Sequence, residues 1–295
     1  MYLPLHFCAA LSAAAAYNNP HMKKTILFVL FTVVIGFVSC QRTVTIVQIA
    51  DPQFGFYDRD DLSYEISTMN RAVEIINRMQ PDVVVFTGDL VHHPDEEKQW
   101  QEFVNLASMI DKGIIVRYVP GNHDGVIADN HVSMERFNTH IGADRFCDRV
   151  GNVLLTGINS NLVFFGDESD SLRMEQFEWL RQSLRMRKKG GVSIVFGHHP
   201  FFVEDIDEED GYFQIPGRRR REYFELFAQE GVKAYFNGHL HSNAEASFDG
   251  IMAVTTSALG RPLGDAPSGM RVITVKDGAV SHEYLPVDAA PCTAH

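Results

Sequence analysis

Cysteine is scarce in this chain of 295 residues, with four in all, at positions 8, 40, 147 and 292. Cys8 and Cys40 fall in the leader, and two distant cysteines, Cys147 and Cys292, make no zinc pattern. A disulfide between them is not expected, because Cys292 lies in an irregular tail. Positive charge is also short, at 26 Lys and Arg against 38 Asp and Glu, a net charge of -12. That removes the electrostatic case for nucleic acid or anionic membrane surfaces as partners. No internal repeat and no linker interrupt residues 43 to 288, so one domain is expected there. The apolar run Ile26–Val38 is too short for a comfortable membrane span.

That run is suited to export instead. Lys23 and Lys24 form a charged start, the apolar core follows, and "FVSC" places a small residue directly before Cys40. The pattern at 22–40 looks like a signal peptide ending in a bacterial lipobox, with Cys40 lipidated and the product held at the periplasmic face. Ordinary cleavage without a lipid is the alternative. Residues 1–21 read as an upstream extension, and 289–295 as a tail. Removal of residues 1–39 leaves 24 cations against 38 anions, a charge of -14.

From residue 43 onward, strand-like and helix-like stretches alternate. "TVTIVQIAD", "DVVVFTGD", "GIIVRYVPGNHD", "NVLLTGINS", "VSIVFGHHP" and "VKAYFNGHLH" read as strands. Leu62, Ile66, Met69, Val73, Ile76 and Met79 mark one face of a helix that Pro81 ends. Further helices are expected in "EEKQWQEFVNLASMID", "MEQFEWLRQSLRMRKK" and "RRREYFELFAQEG", the last stopped by Gly231. Two hairpins follow, turning at Asp249-Gly250 and Asp277-Gly278. Helices alternating with strands and then strand pairs argue for a sheet-rich α/β domain. Residues 125–145 are expected to be a loop with one short helix around Met134 to His140. Residues 199–218 are expected to be a long loop of the kind that covers sites. Its "EDIDEED" reads as a solvated charge run, with contact to a metal or a basic substrate as the rival. The four arginines at 218–221 read as an exposed helix start.

Five strand ends carry side chains suited to metals: Asp51 in "IADPQ", Asp89 in "FTGDLVHH", Asn122, His123 and Asp124 in "VPGNHD", His198 in "FGHHP", and His239 and His241 in "NGHLH". Open α/β folds place ligands at the carboxyl ends of strands. Carboxylate, amide oxygen and imidazole together suit Fe, Mn or Zn rather than magnesium. His239 and His241 stand two apart, so in a strand both face one side. A pair of metals needs a bridging carboxylate, and Asp89 is the natural candidate. Each piece alone is weak; their joint occurrence in this order is specific.

In that order the chain resembles the calcineurin-like metallophosphoesterases over nearly all of residues 43 to 286. It is similar above all to the calcineurin-like phosphoesterase domain-containing serine/threonine phosphatases, through "ADPQFG" (Ala50 to Gly55), the run Gly88 to His92, the acidic loop Asp205 to Asp210 and the segment Ser257 to Gly264. The resemblance implies a four-layer α/β/β/α sandwich around two divalent or trivalent transition metals, Mn, Fe or Zn. It implies Asp51, Asp89 and His241 at the first metal, and Asp89, Asn122, His198 and His239 at the second. Those relatives carry an apolar residue where His199 stands, which makes His198 the ligand of that pair. His123 becomes the acid near the leaving oxygen and Asp124 its orienting partner. The family pattern has histidine where Gln53 stands. Purple acid phosphatases also lack that histidine, and they recruit a tyrosine three residues after the bridging aspartate, where this chain has His92. His92 is therefore expected to supply the missing imidazole, with Gln53 behind it or binding weakly through its amide oxygen.

The function this implies is hydrolysis of a phosphate monoester by metal-bound hydroxide, attacking phosphorus in line. His123 protonates the leaving oxygen, and Arg261 is a candidate phosphate clamp. Substrates are expected to be phosphorylated small molecules or phosphoproteins, for a monomer that meets the membrane only through Cys40. The rivals are a phosphodiesterase acting on a nucleotide or lipid headgroup, and a metal-binding protein that has lost catalysis. The intact "GNHD" argues against the last.

Overall fold

The alternating apolar runs become two sheets stacked face to face. The structure, a computed structural model, describes residues 42–128, 131–165 and 170–287. The lipobox region and Cys292 lie outside the described residues.

The first sheet has strand order β13-β12-β1-β2-β3, formed by Ala279–Pro286, Gly269–Lys276, Val44–Ile49, Val83–Thr87 and Ile115–Val119. The second has order β10-β11-β9-β8-β7-β6, from Ala244–Phe248, Ile251–Thr255, Val232–Asn237, Val192–Phe196, Val153–Gly157 and Phe146–Val150. Val126–Ala128 (β4) and His131–Ser133 (β5) make a small separate ribbon.

Strand side chains alternate between faces, and this alternation assigns the layers. Val44, Ile46, Val83, Val85 and Val119 pack with Leu155, Ile194, Phe196, Phe236 and Val254 in one core between the sheets. The opposite face of the first sheet offers Val47, Ile49, Val84 and Phe86 to helices α1 (Ser63–Met79) and α2 (Glu97–Ala107), through Met69, Val73, Ile76, Trp100 and Phe103. The outer face of the second sheet offers Val195, Tyr235 and Ala253 to Leu180, Leu184, Tyr223, Phe224 and Phe227. The result is the α/β/β/α sandwich.

β1, β2 and β3 run parallel, as do β7, β8, β9 and β11. The carboxyl ends of β1 and β9 meet, since His239 N donates to Asp51 Oδ2 at 3.0 Å and Leu259 N to Ala50 O at 2.8 Å. Just beneath this junction, buried Gln48 ties the sheets together. Its Nε2 donates to Thr87 Oγ1 (3.0 Å) and Asn237 O (2.9 Å), and its Oε1 accepts from Thr256 Oγ1 (2.6 Å). A fully satisfied buried network of this kind fixes one sheet against the other.

Several elements differ from the sequence expectation. The stretch 125–145 holds the β4–β5 ribbon before helix α3 (Glu135–His140), and β6 then lines the sheet edge beside β7. A one-turn helix α4, Asn161–Phe164, follows β7, and helix α5, Asp170–Leu184, starts before the expected Met174. Helix α6 (Gly217–Glu230) does end at Gly231, whose φ is +71°. Its arginines are not all exposed. Arg220 is fully buried and holds the 199–218 loop from inside, donating to Ile215 O (2.7 Å), Glu208 O (2.6 Å) and Asp210 Oδ1 (3.1 Å). A guanidinium can satisfy several acceptors in one plane, which is why a buried arginine fits where a polar loop must close on itself.

Candidate metal centre

Two carboxylates enter from neighbouring parallel strands. Asp51 follows β1 and Asp89 follows β2, and both are buried. Each has a left-handed backbone, φ 48° in both, and Gln53, His239 and His241 share that conformation at 45°, 72° and 53°. Such backbone is costly for non-glycine residues and gathers where packing imposes it, typically around functional sites. Neighbouring glycines keep the way clear. A Cβ on Gly121 would lie 2.1 Å from Asp89 Oδ1, and one on Gly238 would lie 2.2 Å from Asp51 Oδ2.

The imidazoles are aimed through their second nitrogens. His198 Nδ1 lies 2.9 Å from Thr87 O, and His241 Nδ1 lies 2.6 Å from Arg261 O. A carbonyl only accepts, so both Nδ1 atoms carry a proton, which leaves Nε2 in each ring as the nitrogen able to offer a lone pair to a cation. His198 Nε2 is 3.0 Å from Asn122 Oδ1, 3.1 Å from His239 Nδ1 and 3.4 Å from Asp89 Oδ2. His241 Nε2 is 3.5 Å from Asp51 Oδ1. Asp51, Asp89 and His198 offer ligand atoms within 4.8 Å of one another. Carboxylate, amide and imidazole atoms gathered this closely make a donor set that fits a shared transition-metal cation. The buried Gln53 Oε1, which has no hydrogen-bond partner, adds one more unpaired oxygen.

The electrostatics point the same way. Burial pushes Asp51 up to about 6, against the pull of His198 and His241. Burial also works against Asp89, but His198, His123 and His239 outweigh it and hold that carboxyl well below the usual range. Burial disfavours a charged His198, yet Asp89 and Asp51 raise it to about 9. Burial and neighbouring His198 depress His239 to about 3. Metal cations would relieve this crowding of competing charges.

The structure brings together Asp51, Gln53, Asp89, Asn122, His198, His239 and His241. Two expected roles change. Asp124 does not orient the His123 ring: its Oδ1 accepts from Leu90 N (2.7 Å) and Val91 N (3.2 Å), and its Oδ2 from Gly121 N (2.8 Å). It clamps the loop after β2 to the loop after β3, although burial and Asp89 push its carboxyl up to about 8. The His123 ring is set instead by His92 O, which accepts from its Nδ1 at 3.1 Å. His92 also sits differently from the expectation. Gln53 Nε2 donates to His92 Nδ1 at 3.2 Å and lies 3.5 Å from Asp89 Oδ2, so the amide stands between His92 and that carboxylate. The His92 ring stacks on His123 (4.5 Å, 20°) and packs near Phe56 (4.8 Å). Burial and His123 lower its pKa to about 4.

Around the centre lie Arg261, the candidate phosphate clamp, and several groups that the sequence did not single out. Phe56 approaches His241 at 5.6 Å, and the Arg261 guanidinium sits 4.9 Å above the Phe56 ring and 5.0 Å above Tyr57. Phe213, half exposed on the 199–218 loop, lies 5.8 Å from His239. Ser160 and Asn161 follow β7, and Asn161 Nδ2 donates to Gly121 O at 3.1 Å. The available signal was positional. "NSN" stands after the end of a parallel strand, as the metal-type residues do, but it carries no carboxylate or imidazole to draw notice.

Comparison with known proteins agrees with this geometry. The family described as Calcineurin-like phosphoesterase matches residues 44–243. The chain is similar to the serine/threonine-protein phosphatase CPPED1 of Danio rerio, 34% identical over 260 residues, 82% of this chain and 84% of the relative. Its human counterpart is 32% identical over 258 residues, 81% of this chain and 82% of the relative. Among solved structures, a purple acid phosphatase from yellow lupin superposes with a TM-score of 0.64 at 15% identity, covering 84% of this chain and 52% of the lupin protein. A dimetal phosphatase from Danio rerio gives 0.55 at 14% identity, covering 83% and 99%. At these identities the superpositions show the fold.

Proposed function

Since the chain belongs to the calcineurin-like phosphoesterase family, a family of metal-dependent phosphoester hydrolases, we propose that it is a phosphomonoesterase with Asp51, Asp89 and His241 at one metal and Asp89, Asn122, His198 and His239 at a second. The observation that carries the reading is the gathering of Asn122 Oδ1, His239 Nδ1 and Asp89 Oδ2 within 3.0 to 3.4 Å of His198 Nε2, an amide oxygen, an imidazole nitrogen and a carboxylate oxygen around one further imidazole nitrogen. Gln53, whose Nε2 lies 3.5 Å from Asp89 Oδ2 and whose buried Oε1 has no partner among the described residues, is the further ligand assigned to the first metal, and His92 supports it from behind.

When bound, the two cations supply Lewis acidity toward phosphoryl oxygens and activate water. The chain's own groups do the rest. His123 donates from Nδ1 to His92 O, so a second ring proton, held on Nε2, is the one that would pass to the leaving oxygen. The Arg261 guanidinium, steadied over Phe56 and Tyr57, offers donors to substrate oxygens at the rim. Preference for monoesters is supported by the named activity of the curated relatives, which are serine/threonine-protein phosphatases. The leader at 22–40 supports export and attachment through Cys40, which the intact mass of the mature chain checks.

Hydrolysis of p-nitrophenyl phosphate and of its bis ester, with Mn, Fe or Zn supplied, tests the reading. The monoester is expected to turn over faster. Faster turnover of the bis ester would make the chain a phosphodiesterase, and turnover of neither by metal-loaded protein would leave a binding protein.

A further inference from the structure

His199 stands beside His198 yet cannot act as its twin. Ser160 Oγ lies 3.0 Å from the backbone N of both His198 and His199, and 2.9 Å from His199 Nδ1. The two amides only donate, so they occupy the hydroxyl's two lone pairs. Its single proton is left for His199 Nδ1, which accepts. In a neutral ring the imidazole proton then sits on Nε2.

That Nε2–H is buried and has no hydrogen-bond partner among the described residues. The His199 ring is fully buried, stacks on Phe164 at 4.4 Å and meets the edge of Phe165 at 5.8 Å. Its centroid is 4.5 Å from that of His239, and one of its nitrogens lies within 4.8 Å of ligand-type nitrogens on His198 and His239. An unpaired buried donor is costly and rare, so its persistence next to an anion-processing centre asks for an acceptor that arrives with the substrate.

We propose that His199 is a hydrogen-bond donor for a phosphoryl oxygen on the His198–His239 side of the centre, with Ser160 holding it in the donor tautomer and thereby withholding it from metal ligation. This rests on the phosphoesterase reading and adds a substrate-binding group to it. Ser160 is then a positioning residue. The same hydroxyl fixes the backbone of the His198 turn and the proton of the neighbouring ring.

The test uses the full chain, loaded with manganese, and inorganic phosphate as the probe. Metal content by elemental analysis and phosphate affinity by calorimetry are measured for the wild type, His199→Phe and His199→Gln. All three are expected to hold the same metal content. His199→Phe is expected to bind phosphate about tenfold more weakly, the scale of one hydrogen bond to a charged group. His199→Gln, which keeps an N–H donor, is expected to stay close to the wild type. In the metal-free chain, nitrogen-15 spectra are expected to show His199 protonated at Nε2, and Ser160→Ala is expected to lose that preference. Loss of a metal in His199→Phe, undiminished phosphate binding in that variant, or a proton on Nδ1 in the wild type would each overturn the inference. A wild-type chain that took up no metal would instead overturn the phosphoesterase reading beneath it.

Discussion

Gln53 stands where the resemblance led us to expect histidine, and the difference is chemical. An imidazole nitrogen is a stronger donor to transition metals than an amide oxygen. The sequence suggested that His92 makes up the difference. The structure puts the Gln53 amide between His92 and Asp89, with Oε1 buried and free. Gln53→Ala is therefore expected to lower metal content at the first site, while His92→Ala keeps both metals, keeps the backbone carbonyl that meets His123 Nδ1, and lowers activity by removing the ring stacked on His123. Elemental analysis alongside kcat separates the two, and loss of metal in His92→Ala alone would restore the imidazole assignment. The positions of the proposed ligands were legible because a polar residue follows each apolar run, with glycine just before it in every run but that of Asp51. The roles of Asp124, Ser160 and His92 were not, because they turn on which backbone amide or carbonyl each side chain meets. One-dimensional spacing does not record those contacts.

Whole elements were legible wherever hydrophobic period and turn residues agreed. The Asp249-Gly250 and Asp277-Gly278 turns have positive φ at both residues, as tight hairpins require. The β6 strand was missed because "FCDRV" alternates too briefly to stand out, and it gains its order from pairing with β7. The acidic loop was half understood. Asp207 pairs with Arg221 at the surface, as a solvated run would. Asp210 joins Arg220, whose guanidinium is buried. Arg220→Met removes that brace and leaves Ile215 O and Glu208 O without their donor. Hydrogen bonds to charged groups suggest a loss of about 2–3 kcal/mol of stability, read as a lower urea midpoint. Because Phe213 on the same loop lies beside His239, KM is expected to rise as well. A variant with unchanged midpoint and KM would remove the brace from the account.

At the scale of the whole molecule, two sheets present the ends of their parallel strands at one junction. Gln48 and its partners Thr87, Asn237 and Thr256 lock the layers directly below it. Each sheet supplies part of the centre: Asp51, Asp89 and Asn122 come from the first, and His198, His239 and His241 from the second. The site therefore depends on the packing between layers, which the order of motifs announced and only the stacked sheets make physical. The central claim is that this junction holds two cations and that hydrolysis depends on them. Its most direct test is the metal content of purified active chain before and after chelation, followed against phosphatase activity. The account predicts two transition-metal ions per active chain, activity lost as they leave and regained on their return, and an Asp89→Asn variant that retains neither full occupancy nor activity. Undiminished hydrolysis by a chain shown to contain no metal would contradict it.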